Sequence, residues 1–143
     1  MGISRRVTEL RERPSGGRVR HVSALEVQLG LPAGPPFTAV ARLVVAGMAA
    51  RSGLGVDRME ELQLAVEAAV RRAQASQDVS IRMRPGADRF RLRIGPLAIT
   101  GAELDDLEHV LSGLVDEVAT HETDGDVWID VEVALRSLAT ARR

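Results

Sequence analysis

Leu62–Ala73 reads LQLAVEAAVRRA, and its apolar residues recur at the spacing of one helix face. Together with Met59 just before it, the stripe is Met59, Leu62, Val66, Ala69, Val70 and Ala73, which leaves Glu60, Glu61, Glu67, Arg71 and Arg72 to other faces. Asp57 followed by Glu60 has the D-x-x-E form of a capping box, so the helix is expected to start there. Glu67 and Arg71 stand four residues apart, the spacing of a helix-face ion pair worth roughly 0.2–0.5 kcal/mol.

Downstream the period changes from helical to two. Ile81 and Met83, then Phe90, Leu92 and Ile94, alternate with Arg82, Arg84, Arg89, Arg91 and Arg93. Pro85-Gly86-Ala87-Asp88 has turn composition, so the segment is expected to be a hairpin with one core face and one guanidinium face. That face reads either as a solvated sheet surface or as a docking surface for acidic groups, because Arg forks suit carboxylates and phosphates.

Upstream, His21–Leu29 alternates as a strand and ends in the breaker-rich Gly30–Pro36. A helix is expected from Phe37 to Arg51, with Val40, Leu43, Val44, Gly47 and Met48 on its inner stripe and Gly53 as its stop. Beyond the hairpin, Gly101–Gly113 reads as a helix with Leu104, Leu107, Val110, Leu111 and Leu114 on one side. Strands at Val115–His121 and Val127–Ala134 flank an Asp124-Gly125 turn. The order β-α-α-β-β-α-β-β indicates an α+β fold, one sheet covered on one face by helices. Residues 1–20 are expected to form a flexible Arg-rich arm, 21–135 the domain and 136–143 a short tail.

Composition narrows the chemistry. There is no Cys, so disulfides, thiol nucleophiles and thiolate zinc sites are excluded. Every one of the 19 basic residues is Arg, which removes Schiff-base chemistry and a lysine phosphate loop. His21, His109 and His121 are too scattered to read as a metal cluster. The three aromatic residues, Phe37, Phe90 and Trp128, offer little base-stacking surface, which argues against nucleic acid as a partner. No apolar run approaches the ~20 residues of a spanning helix. A cytoplasmic protein without a membrane partner is expected.

Net charge is −1 but unevenly distributed. Residues 81–94 hold five Arg against Asp88, whereas 101–130 hold ten acids and no Arg. Such segregation favours an oriented protein partner or self-association.

Three stretches, in this order, resemble the anti-sigma-factor serine kinases of the GHKL (Bergerat) ATPase superfamily. Leu31-Pro32-Ala33 is similar to the family's step from first strand to first helix. Leu62-Gln63-Leu64-Ala65-Val66 is similar to the first half of its L-x-L-A-V-x-E-A-x-x-N-A helix, and Leu114-Val115-Asp116-Glu117-Val118 with Asp124-Gly125 to its C-terminal part. The resemblance covers about Ser23 to Leu135. It implies the two-layer sandwich of the histidine kinase-like ATPases, with a mixed sheet, and a protein that pairs as a dimer, binds a sigma factor and is released by an antagonist protein.

The family's nucleotide chemistry is not carried over. In the gap-free register its Glu falls on Ala68 and its metal-binding Asn on Arg72; shifted by one residue, Glu67 is recovered but Arg71 takes the Asn position. Guanidinium has only donors and cannot replace an amide oxygen as a magnesium ligand. Ile94-Gly95-Pro96-Leu97 lacks the adenine-reading Asp and glycines of D-x-G-x-G, and only Thr100-Gly101 precedes the acidic helix where a phosphate lid belongs. With these departures the resemblance implies a pseudokinase without ATP or magnesium, regulating transcription through protein binding. Arg82, Arg84, Arg89, Arg91 and Arg93 are the partner-binding candidates. The alternative is a nucleotide-binding relative with a rebuilt site, in which Arg71, Arg72 and the hairpin arginines contact phosphates.

Overall fold

The computed structural model describes residues 2–9, 23–73 and 77–135. Among the described residues, six strands and three helices follow one another as β1 (Gly2–Glu9), β2 (Ser23–Leu31), α1 (Pro35–Arg51), α2 (Val56–Val70), β3 (Val79–Pro85), β4 (Arg89–Leu97), α3 (Gly101–Ser112), β5 (Glu117–Thr123) and β6 (Asp126–Ala134). The strands form a single sheet in the order β1-β2-β3-β4-β6-β5, and the helices cover one face of it. None of these helices is long and apolar enough to cross a membrane.

All neighbouring strands are antiparallel, not mixed as the resemblance implied. The connections explain this. Two helices lie between β2 and β3, so the chain returns to the end it left and β3 runs back along β2. A single helix leads from β4 to β5, which makes those two strands parallel. The β5–β6 hairpin then inserts β6 between them, so no parallel pair touches.

The N-terminal segment also departs from expectation. Gly2–Glu9 is not a flexible arm but pairs with β2 over its whole length, from Gly2 with Gly30 to Glu9 with Ser23. Strand β2 would otherwise expose a row of unpaired backbone groups, which a short edge strand satisfies. Residues 10–22, the rest of the expected arm, and the tail at 136–143 lie outside the described residues.

The core has the expected composition. Leu62, Val66, Val70, Phe90, Leu92, Leu107, Leu111 and Val127 are buried together with Ile81, Met83 and Ile94, so the alternation in the hairpin was read in the right phase. Helix α1 was not. Its buried side is Thr38, Ala41, Val45 and Ala49, while Leu43 is 73% exposed. The helix is apolar around most of its circumference, and a pattern without a polar side has no phase to read. Val110 of α3 is likewise more exposed than its stripe suggested.

Helix ends show how local chemistry sets the boundaries. Pro35 and Pro36 occupy the first positions of α1 and have no N–H to satisfy. The next two amides, of Phe37 and Thr38, both donate to the Gly34 carbonyl, at 3.0 and 3.2 Å. Gly53, at φ +92°, follows α1 as the expected stop. The expected capping box does not form. Helix α2 starts at Val56 behind Gly55 without a side-chain cap, and Asp57 lies inside its first turn, where a negative charge suits the helix dipole. Asp124 (φ 54°) and Gly125 (φ 83°) make the β5–β6 turn with both residues left-handed, as the Asp-Gly pair predicted.

Candidate functional site

The sheet face turned away from the helices carries nearly all the charge of the hairpin. Antiparallel register sets its residues in rows. One row runs Gln28, Arg82, Arg93, Asp130 and Ala119; the next runs Arg84, Arg91, Glu132 and Glu117, with Glu26 of β2 3.3 Å from Arg84. Arg82 thus stands directly across from Arg93, and Arg84 from Arg91. Like charges in directly paired positions repel, and acids on the flanking strands offset that repulsion.

The five arginines nominated as partner-binding residues are therefore paired within the chain. Arg93 makes a two-pronged contact with Asp130, Nε to Oδ1 at 2.7 Å and an Nη to Oδ2 at 3.0 Å. Arg89 donates to Glu117 at 2.8 Å and to Glu132 at 3.1 Å. Arg91 lies 3.3 Å from Glu132, Arg84 3.3 Å from Glu26, and Arg82 3.9 Å from Glu26. His121 Nε2 is 2.8 Å from the same Asp130 carboxylate.

These contacts move proton affinities in the expected directions. The hydrogen bonds from Arg93 hold the Asp130 carboxyl below the usual carboxylate range, His121 adds to the effect, and partial burial opposes it. Arg93 is held more firmly protonated by the same bond. Arg89 is raised chiefly by the charge of Glu117.

The acids that neutralise the stripe come from β2, β5 and β6, not from the acidic helix α3, which packs on the other side of the sheet. The signal for two of them lay in plain view. Asp130 and Glu132 alternate with the buried Ile129, Val131 and Val133, the same period as the arginines. What period alone cannot supply is which strand lies next to which.

A second feature is a cavity of about 590 Å³ between the start of α1 and the end of α2. Thr38, Ala39 and Arg42 line it from α1, with Glu67, Val70 and Arg71 from α2 and its end. Glu67 accepts from Arg71 at 2.5 Å and lies 3.6 Å from Arg42, so it sits between two guanidiniums. The Glu67–Arg71 pair of the shifted register thus faces this cavity, joined by Thr38 and Arg42, which the sequence did not single out.

Ala68 and Arg72, the positions of the gap-free register, do not line it. Ala68 packs against the core, and Arg72 donates to the Ala68 carbonyl at 2.7 Å, closing on its own helix. Gly95 does not line it either. It is buried in an irregular part of the β4–β6 pairing, and Trp128 lies against it. Its bare Cα makes room for that indole. The stretch after it is short: three residues, 98–100, separate β4 from α3.

Elsewhere, Asp116 joins three elements. It takes Arg58 of α2 at 2.8 Å and the Ala134 amide of β6 at 2.7 Å, which ties the start of α2 to the far part of the sheet.

Compared with models of protein families and with curated proteins, the chain matches none.

Proposed function

We propose that this chain is a non-catalytic regulator that acts by binding another protein, built on a histidine kinase-like ATPase scaffold of the anti-sigma type whose nucleotide site has decayed. One observation carries the protein-binding part. Helix α1 is apolar nearly all round, yet only one side of it rests on the domain. Leu43 is 73% exposed, with Ala39, Gly47 and Ala50 also on the surface. Helices of that composition are ordinarily covered on every side. An uncovered apolar helix face is the surface a partner protein would bury.

Two observations support the loss of nucleotide chemistry. Arg72 turns back onto its own helix, and the three residues between β4 and α3 are too short to wrap a triphosphate. The partner class, a sigma factor or an antagonist of anti-sigma factors, rests on the sequence resemblance, as does pairing as a dimer.

Affinity capture from the native cell, with the wild-type chain and Leu43→Arg side by side, tests this reading. Recovery of a sigma factor or an antagonist by the wild type, and its loss in a folded Leu43→Arg, is the expected result. Equal recovery by both proteins would remove α1 from the interface, and recovery of neither partner class would end the anti-sigma assignment.

A second reading has one observation in its favour. The cavity between α1 and α2 has the size of a small-molecule site and holds Arg42 and Arg71, as a rebuilt phosphate site would. Against it, Glu67 already takes up both arginines, Arg71 at 2.5 Å and Arg42 at 3.6 Å.

A further inference from the structure

Charge on the outer sheet face is not evenly balanced row by row. Arg84 and Arg91 have three acids beside them, Glu26, Glu132 and Glu117, and Arg89 draws on two of these. The row of Arg82 and Arg93 contains one acid, Asp130, and Arg93 holds it with both prongs. Opposite Arg82 on β2, where an acid would complete the pattern, stands Gln28. Its amide is turned away and donates to Ser80 Oγ at 3.1 Å.

Arg82 is left with Glu26, diagonal to it at 3.9 Å, and its Nε is buried without a hydrogen-bond partner among the described residues. Beside it lies a cleft of about 130 Å³, lined by the guanidinium-bearing residues Arg82, Arg84, Arg91 and Arg93, with Asp130 and Glu132 at its β6 side. Glu26 at 3.9 Å is beyond hydrogen-bond reach, so the partly exposed Arg82 guanidinium suits a further acceptor carrying negative charge.

We propose that this cleft binds one phosphoryl group, as free phosphate or as the phosphate of a small monoester. Four arginines from two adjacent strands line the cleft. A tetrahedral oxyanion can present an oxygen to each, whereas a single planar carboxylate is filled by one fork. At about 130 Å³ the cleft has room for one such group. The bound anion supplies the charge that Gln28 does not and separates the facing Arg82–Arg93 and Arg84–Arg91 pairs.

Thermal melting with added sodium phosphate, or glycerol 2-phosphate, against sodium chloride at equal ionic strength tests the site in three proteins: wild type, Arg82→Gln and Gln28→Glu. Phosphate also stabilises proteins by exclusion from their surface, but that effect does not saturate and is shared by all three. For the wild type a saturable rise in Tm of about 2–8 °C above the chloride control is expected. Arg82→Gln should lose the saturable part. Gln28→Glu places a tethered carboxylate beside Arg82, so it should melt higher than wild type in chloride and gain no saturable rise from phosphate.

A response to both anions identifies the phosphoryl group as the ligand whatever carries it; a response to inorganic phosphate alone restricts the site to the free ion. A wild-type melt that follows ionic strength only, or a saturable rise that persists in Gln28→Glu, would overturn the proposal.

Discussion

Trp128 lies against the bare backbone of Gly95, and a Cβ added there would fall 2.8 Å from the indole ring and 3.0 Å from the Val127 carbonyl. A Cβ essentially never comes within 2.8 Å of a ring, so the ring or the strand must move. Gly95→Ala is expected to destabilise the protein by about 1–3 kcal/mol, the range for overpacking a fitted site. Trp128 is the only tryptophan, so urea unfolding followed by its emission measures both the loss of stability and the shift of the ring. An unchanged midpoint would mean that the ring finds another seat at no cost.

Asp130 gives the protein a pH dependence with a definite sign. Its folded pKa is lowered, first by the Arg93 hydrogen bonds and then by His121. A group of this kind stabilises fully above its unfolded pKa, about 3.9 for Asp, and the contribution is lost as pH falls through the lowered folded value. Asp130→Asn should therefore melt below wild type at neutral pH and down to about pH 5, by on the order of 1 kcal/mol for a partly exposed pair. The two melting curves should converge below about pH 4. Parallel curves down to strong acid would show that Asp130 is not the group responsible.

Two substitutions of the same kind should have opposite outcomes. Val66 is fully buried on α2, and Val66→Asp is expected to unfold the domain, because an unpaired buried charge costs several kcal/mol against a total of roughly 5–15. Leu43→Asp, on the outer side of α1, should stay folded, with a change within about 0.5 kcal/mol. Circular dichroism of the two variants decides it. A folded Val66→Asp, or an unfolded Leu43→Asp, would mean that the helix pair is rotated from the arrangement described.

Calorimetry with ATP and magnesium at millimolar nucleotide is expected to give no saturable heat. Ala68 and Arg72 stand where the resemblance would place the acid and the metal ligand, and a guanidinium cannot coordinate magnesium. Binding in the micromolar range would reverse the assignment of a decayed site and favour the cavity beside Arg42 and Arg71 as a rebuilt one.

The sequence by itself determined those elements whose two faces differ in chemistry. In the hairpin, arginine alternates with Ile, Met, Phe and Leu, so the buried face was legible residue by residue; in α2 the acids and arginines mark the outer side as plainly. The Asp124-Gly125 turn was legible for a local reason, since few residue pairs accept two left-handed positions in succession. Where such contrast weakens, so does the reading: α1 is apolar around most of its circumference, and its rotation about its own axis is set by what it packs against. Tertiary structure alone decided the neighbours. That Gly2–Glu9 closes the edge of β2, that β6 lies between β4 and β5, and that Glu26, Asp130 and Glu132 therefore stand beside the arginines all depend on strand order. Strand order is settled by how loops and helices return the chain across the sheet, over distances to which a period of two residues is blind. The same order puts Gln28, and not an acid, opposite Arg82.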